Sequence, residues 1–131
     1  MLIDDAVENV IGGTLISSEN RIAQSGGDGV RIIGANAAGN TVQPNLFENN
    51  DGLGIDLGGD GMTANDSGDV DVGPNRLQNV FTLHPITTPG QVLATFSGAA
   101  SSSMRWDLYA SADCDRSGFG EGAKSLPLDN V

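Results

Sequence analysis

The sequence predicts an all-β fold, a short parallel β-helix followed by a small antiparallel β segment, and three observations predict it. The stretches Asn20 to Gly34 and Asn45 to Gly59 align without gaps at an offset of 25 residues. The chain carries 19 glycines and 11 asparagines, residues that tolerate positive φ, so it must turn often. Its apolar residues come in short alternating runs, with only four Phe, one Trp and one Tyr. Many turns between short apolar runs mean strands rather than helices. A chain of 131 residues can bury on the order of two-thirds of its unfolded surface, so a core is within reach.

The repeat covers residues 9 to 58. Asn20 answers Asn45, Ile22 answers Phe47, Gly29 answers Gly54, Val30 answers Ile55 and Ile32 answers Leu57, all at the offset of 25. A further element, Asn9-Val10-Ile11, answers Asn40-Thr41-Val42 at 31. The six extra residues fall in GGTLISS, and an insertion at one corner is what a solenoid tolerates. Strand side chains alternate, so Val30 and Ile32 should point inward and Arg31 outward, as should Ile55, Leu57 and Asp56 in turn. Stacked coils would set Val30 on Ile55, Ile32 on Leu57 and Ile22 on Phe47, about 4.8 Å apart. Outside, Arg31 should face Asp56, an exposed pair contributing about 0–1 kcal/mol. Asn20 and Asn45 should stack at a corner with their amides hydrogen-bonded along the axis.

Residues 1–60 are therefore assigned to β-helix coils. Residues 61–79 read as an acidic Gly/Asp/Asn-rich loop without period. Residues 80–131 read as a small β segment, either a truncated β-sandwich or a cap. Within it Gln91 to Ser97 and Met104 to Ala110 alternate as strands, and residues 111–131 look irregular. Trp106 alternates with Leu108 and reads as core. A β-sandwich or jelly roll is the rival fold, but it needs no internal repeat. The acidic opening MLIDDAVENVIGG shows no signal peptide and the DNV ending is abrupt, so the chain reads as an excised piece.

The formal net charge is −11, and no Lys or Arg lies between Ile32 and Asn75. Glu48, Asp51, Asp56, Asp60, Asp66, Asp69 and Asp71 fill that span. Such a surface repels phosphate backbones, which excludes nucleic acid as a partner. No run approaches the ~20 apolar residues of a membrane span. The single Cys114 allows no intrachain disulfide, and its neighbours Asp113 and Asp115 disfavour a reactive thiolate.

Calcium is the one cofactor the residues suggest. Asp60, Asn65, Asp66, Asp69 and Asp71 lie within one short loop and offer the oxygen ligands that structural Ca2+ takes. Asp113, Asp115 and Ser117 alternate before Gly118 like half an EF-hand loop, but Lys124 stands where the closing Glu belongs. Glycoside chemistry needs two carboxylates about 5–9 Å apart. Asp28 and Asp51 fall near one corner, but beside different repeat positions, and read as turn residues. His84 has no His or Cys neighbour, no G-x-S-x-G is present, and GFGEG lacks the Lys of a phosphate loop. No catalytic constellation emerges, so the chain reads as non-enzymatic.

The segments NVIGGT, GGDGVRIIGANAAGNTVQPNLF and NDGLGIDLGGDGMTANDSGDVDVGPNRLQN, and more weakly SADCDRSGFGEG, carry a family resemblance. The chain resembles bacterial right-handed parallel β-helix repeat proteins, in the C-terminal part of the β-helix region of large secreted or surface chains. The resemblance implies a right-handed coil and an extracellular or cell-surface setting in a bacterium. It transfers no catalytic residue. The preferred functional reading is a non-enzymatic structural or binding module whose outer coil faces carry adhesive or glycan contacts, with a glycan or surface protein as partner. Two other functions stand beside it: a fragment of a carbohydrate-active β-helix enzyme (a polysaccharide lyase or glycosidase), recognised by an acidic cleft with aromatics, and a self-assembling solenoid piece. Solenoids generally need at least three repeats and caps. So few coils predict a homo-oligomer through the solenoid ends, or closure by Gln91 to Ala110 folding back.

Overall fold

The computed structural model describes residues 1–13, 15, 18–100, 105–114, 116 and 118–126. The fold is all-β, with parallel and antiparallel sheets. Seven short strands build its first half: β1 Leu2–Asp4, β2 Val10–Gly12, β3 Asn20–Ala23, β4 Val30–Ile33, β5 Thr41–Gln43, β6 Asn45–Glu48 and β7 Ile55–Leu57. They pair in three parallel sheets, β1-β4-β7, β2-β5 and β3-β6. The chain thus visits the three sheets in order, repeats the circuit, and begins a third.

The register follows the repeat. Val30 stands opposite Ile55, Ile32 opposite Leu57, Asn20 opposite Asn45 and Ile22 opposite Phe47. Ile11 meets Val42 at the offset of 31. Strand β1 lies outside the segment the repeat marked, with Ile3 on Ile32. The buried core is Ile3, Ile11, Val30, Ile32, Ala37 and Phe47, with Ile22, Val42 and Leu57 packed against it. Val30 and Ile32 are fully buried in β4, the middle strand of its sheet, with Ile32 between Ile3 and Leu57 and Val30 beside Ile55. Complete burial of such a side chain contributes about 1.5–3 kcal/mol. Circuits stack this closely only where corners are bare. Gly12 has φ 95°, and a Cβ there would lie 2.5 Å from the Pro44 carbonyl oxygen.

The third circuit departs from the expected alternation. Ile55 is 40% exposed and Asp56 only 2%. Among the described residues, no strand lies beyond β7 to cover Ile55. The Asp56 carboxylate turns into the following glycine-rich turn and accepts from Gly59 N at 3.1 Å and Gly61 N at 3.2 Å. Its expected partner Arg31, though opposite it in register, bridges Asp28 at 2.6 Å instead. That hydrogen bond holds the Arg31 guanidinium above its ordinary pKa. An i,i+3 neighbour within one turn is reached more easily than a carboxylate already engaged elsewhere.

The second half is looser. The stretch read as a loop contains a single 3-10 turn, Pro74–Leu77. Strand β8, Thr82–His84, pairs antiparallel with β9, Leu93–Thr95, and β10, Leu108–Ala110, with β11, Lys124–Leu126. The two anticipated strands are thus shorter than expected and have other partners; Met104 and the DNV ending lie outside the described residues. Strand β11 falls in a stretch that reads as irregular. Phe81 joins the halves of this region, 4.8 Å from Phe96 and 5.6 Å from Trp106 between ring centroids. Trp106 stays 41% exposed, so it is core on one side only.

Candidate functional site

The chemistry of this fold is concentrated at the two ends of the stacked circuits. Strand corners leave backbone groups that no ladder satisfies, and buried groups of that kind need partners. Three asparagines of the second circuit supply them. Asn40 Oδ1 accepts from Asn9 N at 3.0 Å, and Asn40 Nδ2 donates to Ala6 O at 2.9 Å. Asn45 Oδ1 accepts from Asn20 N at 3.3 Å, and its Nδ2 donates to Ile11 O at 2.9 Å. Asn50 Oδ1 accepts from Ser25 N at 3.0 Å, and its Nδ2 donates to Ile22 O at 3.1 Å. Each side chain therefore clamps the first circuit twice. The Asn20–Asn45 amide bond anticipated from the repeat is present at 3.0 Å.

The same three backbone N–H groups of the second circuit meet residues from far along the chain. Asn40 N donates to Asn75 Oδ1 at 3.0 Å, Asn45 N to the Tyr109 hydroxyl at 3.4 Å, and Asn50 N to Glu121 Oε1 at 2.9 Å. Asn75 Nδ2 returns a bond to Asn40 O at 2.7 Å. Aiming that amide takes an uncommon backbone: Asn75, Arg76 and Leu77 have φ of 45°, 59° and 50°, a left-handed region that L-residues enter at a cost of roughly 1–2 kcal/mol each. Glu121 Oε2 also accepts from Asn50 Nδ2, Asp107 Oδ2 accepts from Gln43 Nε2 at 3.1 Å, and Phe47 N donates to Gly122 O at 3.2 Å. Burial pushes the Tyr109 phenol up, and the bond from Asn45 N–H partly opposes this. The cap anticipated from Gln91 to Ala110 is thus drawn mainly from 107–122. Asn75, Tyr109 and Glu121 left no sign in the repeat, because they come from three unrelated segments.

Two clefts flank this cap. One, of about 520 Å³, lies between the Phe47 to Asp51 corner and Asp113, Cys114, Arg116 and Glu121. The other, of about 580 Å³, exposes Val42, Ile55 and Leu57 beside Arg76, Gln78 and Arg105.

The residues singled out for calcium are mostly tied to backbone. Asn65 clasps Val80, donating to its O at 2.7 Å and accepting from its N at 2.8 Å. Asp66 Oδ2 accepts from Val70 N at 3.1 Å, and Asp69 Oδ1 from Asn79 N at 2.8 Å. Asn79, buried, donates in turn to Asp66 O and Ser97 O. Asp66 Oδ1 is buried without a hydrogen-bond partner. Asp60 is exposed and Asp71 half-buried. Among the described residues, no group of three or more His, Cys, Asp and Glu side chains gathers as a metal site. Asp113 is exposed, Lys124 lies in β11, and Asp115 and Ser117 lie outside the described residues. Asp28 is held by Arg31 and by Leu53 N at 2.9 Å, whereas Asp51 is exposed. His84 Nε2 meets Thr95 Oγ1 at 2.9 Å on an exposed hairpin. Among the described residues, no helix is long and apolar enough to cross a membrane.

Compared with protein-family models, with curated proteins and with solved structures, the chain matches none.

Proposed function

We propose that this chain is a non-enzymatic structural module of a bacterial extracellular or surface protein, a short right-handed parallel β-helix whose outer faces carry adhesive or glycan contacts. The observation that carries the reading is the order of the parallel sheets, visited one, two, three and again, with Asn40, Asn45 and Asn50 clamping one circuit to the next. A connection between parallel strands of one sheet is right-handed in about 98% of cases, which favours that hand here. The polar side chains of the turns serve backbone groups, as in a scaffold, rather than converging on a reacting atom. Family resemblance supports the bacterial surface setting.

Methyl–methyl and methyl–aromatic NOEs test the scaffold. Contacts between Ile3 and Ile32, Val30 and Ile55, and Ile22 and Phe47 are expected together; loss of any one stack breaks the coil. Binding on an array of surface glycans, without turnover, tests the role. Cleavage of a uronate polymer that is lost in Asp51→Asn would replace this reading by the carbohydrate-active enzyme.

A further inference from the structure

Three aspartates precede glycine in this chain, at Asp28–Gly29, Asp51–Gly52 and Asp60–Gly61, and no asparagine does. An Asp–Gly step carries a latent reaction. The glycine nitrogen can attack the aspartate Cγ, because glycine has no Cβ to hinder the approach. The new N–Cγ bond closes a five-membered succinimide, and one carboxyl oxygen leaves as water with the amide proton and the carboxyl proton. Water then opens the ring. Attack at the Cγ carbonyl breaks the new bond and restores aspartate. Attack at the main-chain carbonyl breaks the original peptide bond and leaves isoaspartate, whose backbone runs through Cβ and Cγ and is one carbon longer.

The fold treats the three steps differently. At Asp28 the carboxylate is committed: Oδ2 accepts from Arg31 Nε at 2.7 Å and Oδ1 from Leu53 N at 2.9 Å. The nucleophile there, Gly29 N, donates to Leu53 O at 2.9 Å. At Asp60 the nucleophile is held by a buried carboxylate, Gly61 N donating to Asp56 Oδ2 at 3.2 Å. The Asp60 side chain is also folded back, its Oδ1 2.8 Å from where a Cβ on Gly58 would stand. At Asp51 the electrophile is free. Among the described residues its carboxylate has no hydrogen-bond partner, and it stands exposed on the cleft of about 520 Å³, where water reaches it. The Gly52 nitrogen is restrained by its bond to Gly27 O at 3.1 Å, and local opening of that corner releases it.

We propose that Asp51 is a self-modifying site, converting to isoaspartate in the folded chain while Asp28 and Asp60 are protected. Its position gives the reaction a consequence. Asp51 lies in the corner between β6 and β7 that ties the second circuit to the first. Asp51 N donates to Ser25 O at 2.9 Å, Gly52 N to Gly27 O and Leu53 N to Asp28 Oδ1. These consecutive bonds fit a backbone of normal length. An extra carbon at residue 51 puts at least one of them out of reach, so the modification releases the corner and loosens β7.

Ageing the full chain at neutral pH and body temperature tests this, with aspartate and isoaspartate peptides resolved after digestion. Breaking a bond to a charged group before reaction slows it about tenfold or more. Isoaspartate at residue 51 should therefore exceed that at 28 and at 60 by at least about tenfold. In urea, where no fold discriminates, the three steps should react at similar rates. Asp51→Glu, which would need a less favourable six-membered ring, should abolish the product at 51 and leave the other two unchanged. Asp56→Asn, which takes the acceptor from Gly61 N, should raise the product at 60 alone. Amides of Leu53 and of β7 should exchange faster in the separated isoaspartate form than in the parent. Equal yields in the folded chain, a larger yield at 28 or 60, or no isoaspartate at any site overturns the assignment. Conversion at 51 with unchanged exchange in β7 overturns the release of the corner alone.

Discussion

The two ends of the stack are built from the same strands and finished differently. At the β1–β3 end, Asn9 Oδ1, Asn20 Oδ1 and the outer edges of the three strands lack partners among the described residues. At the other, three second-circuit N–H groups are met by an amide, a phenol and a carboxylate from outside the repeat. Repeating sequence can thus satisfy its own interior, but its last rung needs groups that do not repeat. Even there closure is partial, since sheet β1-β4-β7 ends on a bare Ile55. Ile32→Ala, in a fully buried position, should cost about 2–5 kcal/mol, and Ile55→Ala no more than about 1 kcal/mol, because much of its surface already meets water. Urea unfolding of both variants measures the contrast, and equal losses would mean that β7 is covered after all.

The clamps sharpen the comparison next. Asn45→Ala strips partners from Asn20 N and Ile11 O. Two stranded groups at roughly 1–3 kcal/mol each give a loss of about 2–6 kcal/mol. Asn20→Ala removes a side chain whose one bond among the described residues runs from its Nδ2 to Asn45 Oδ1, and should cost only about 0.5–1 kcal/mol. A reversed order in denaturant midpoints would reverse the direction assigned to the clamps.

Much of this was legible, for a physical reason. Positions that stack on one another need the same shape, so Val30/Ile55 and Ile22/Phe47 repeat at a fixed offset. Strand β1 was hidden because its offset to β4 is 29 rather than 25, corner loops being free to change length. Asp56 was read as exposed because alternation fixes which way a side chain points and not what covers it; the glycine-rich turn after β7 closes on its carboxylate. The finishing residues were out of reach: Asn75, Tyr109 and Glu121 lie 35, 64 and 71 residues from their partners, at no common spacing. The calcium loop is ambiguous in sequence because Asn and Asp side chains bind backbone N–H groups with the same oxygens that bind a cation.

The finished end can be loosened by itself. Glu121→Ala removes a carboxylate accepting from Asn50 N and Nδ2, a loss of about 1.5–3 kcal/mol for bonds to a charged group. Faster amide exchange at Asn50 and along β6, with β1 unchanged, is the expected signature. Tyr109→Phe should cost about 0.5–1.5 kcal/mol. Because burial raises the Tyr109 pKa in the folded state, its proton is held more tightly there than in the unfolded chain. That contribution is intact below the unfolded value of about 10 and is lost as pH rises through the folded value. Denaturant midpoints at about pH 8 and pH 10.5 should therefore fall less in Tyr109→Phe than in the parent.

The smallest effect expected is that of calcium, and it separates the repeat from the loop behind it. A cation would have to replace bonds already made, since Asn65, Asp66 and Asp69 hold Val80, Val70 and Asn79. Of the five candidate ligand side chains, Asp66 alone has a buried oxygen without a hydrogen-bond partner among the described residues, its Oδ1, and one such oxygen is far from the six to eight that calcium takes. Binding to the folded state alone stabilises in proportion to the logarithm of ligand over Kd. Millimolar calcium should accordingly move the melting temperature by less than about 1 °C, with magnesium as control. A larger calcium-specific rise, abolished by Asp66→Asn, would show that the loop reorganises around an ion and that its present bonds are the apo arrangement.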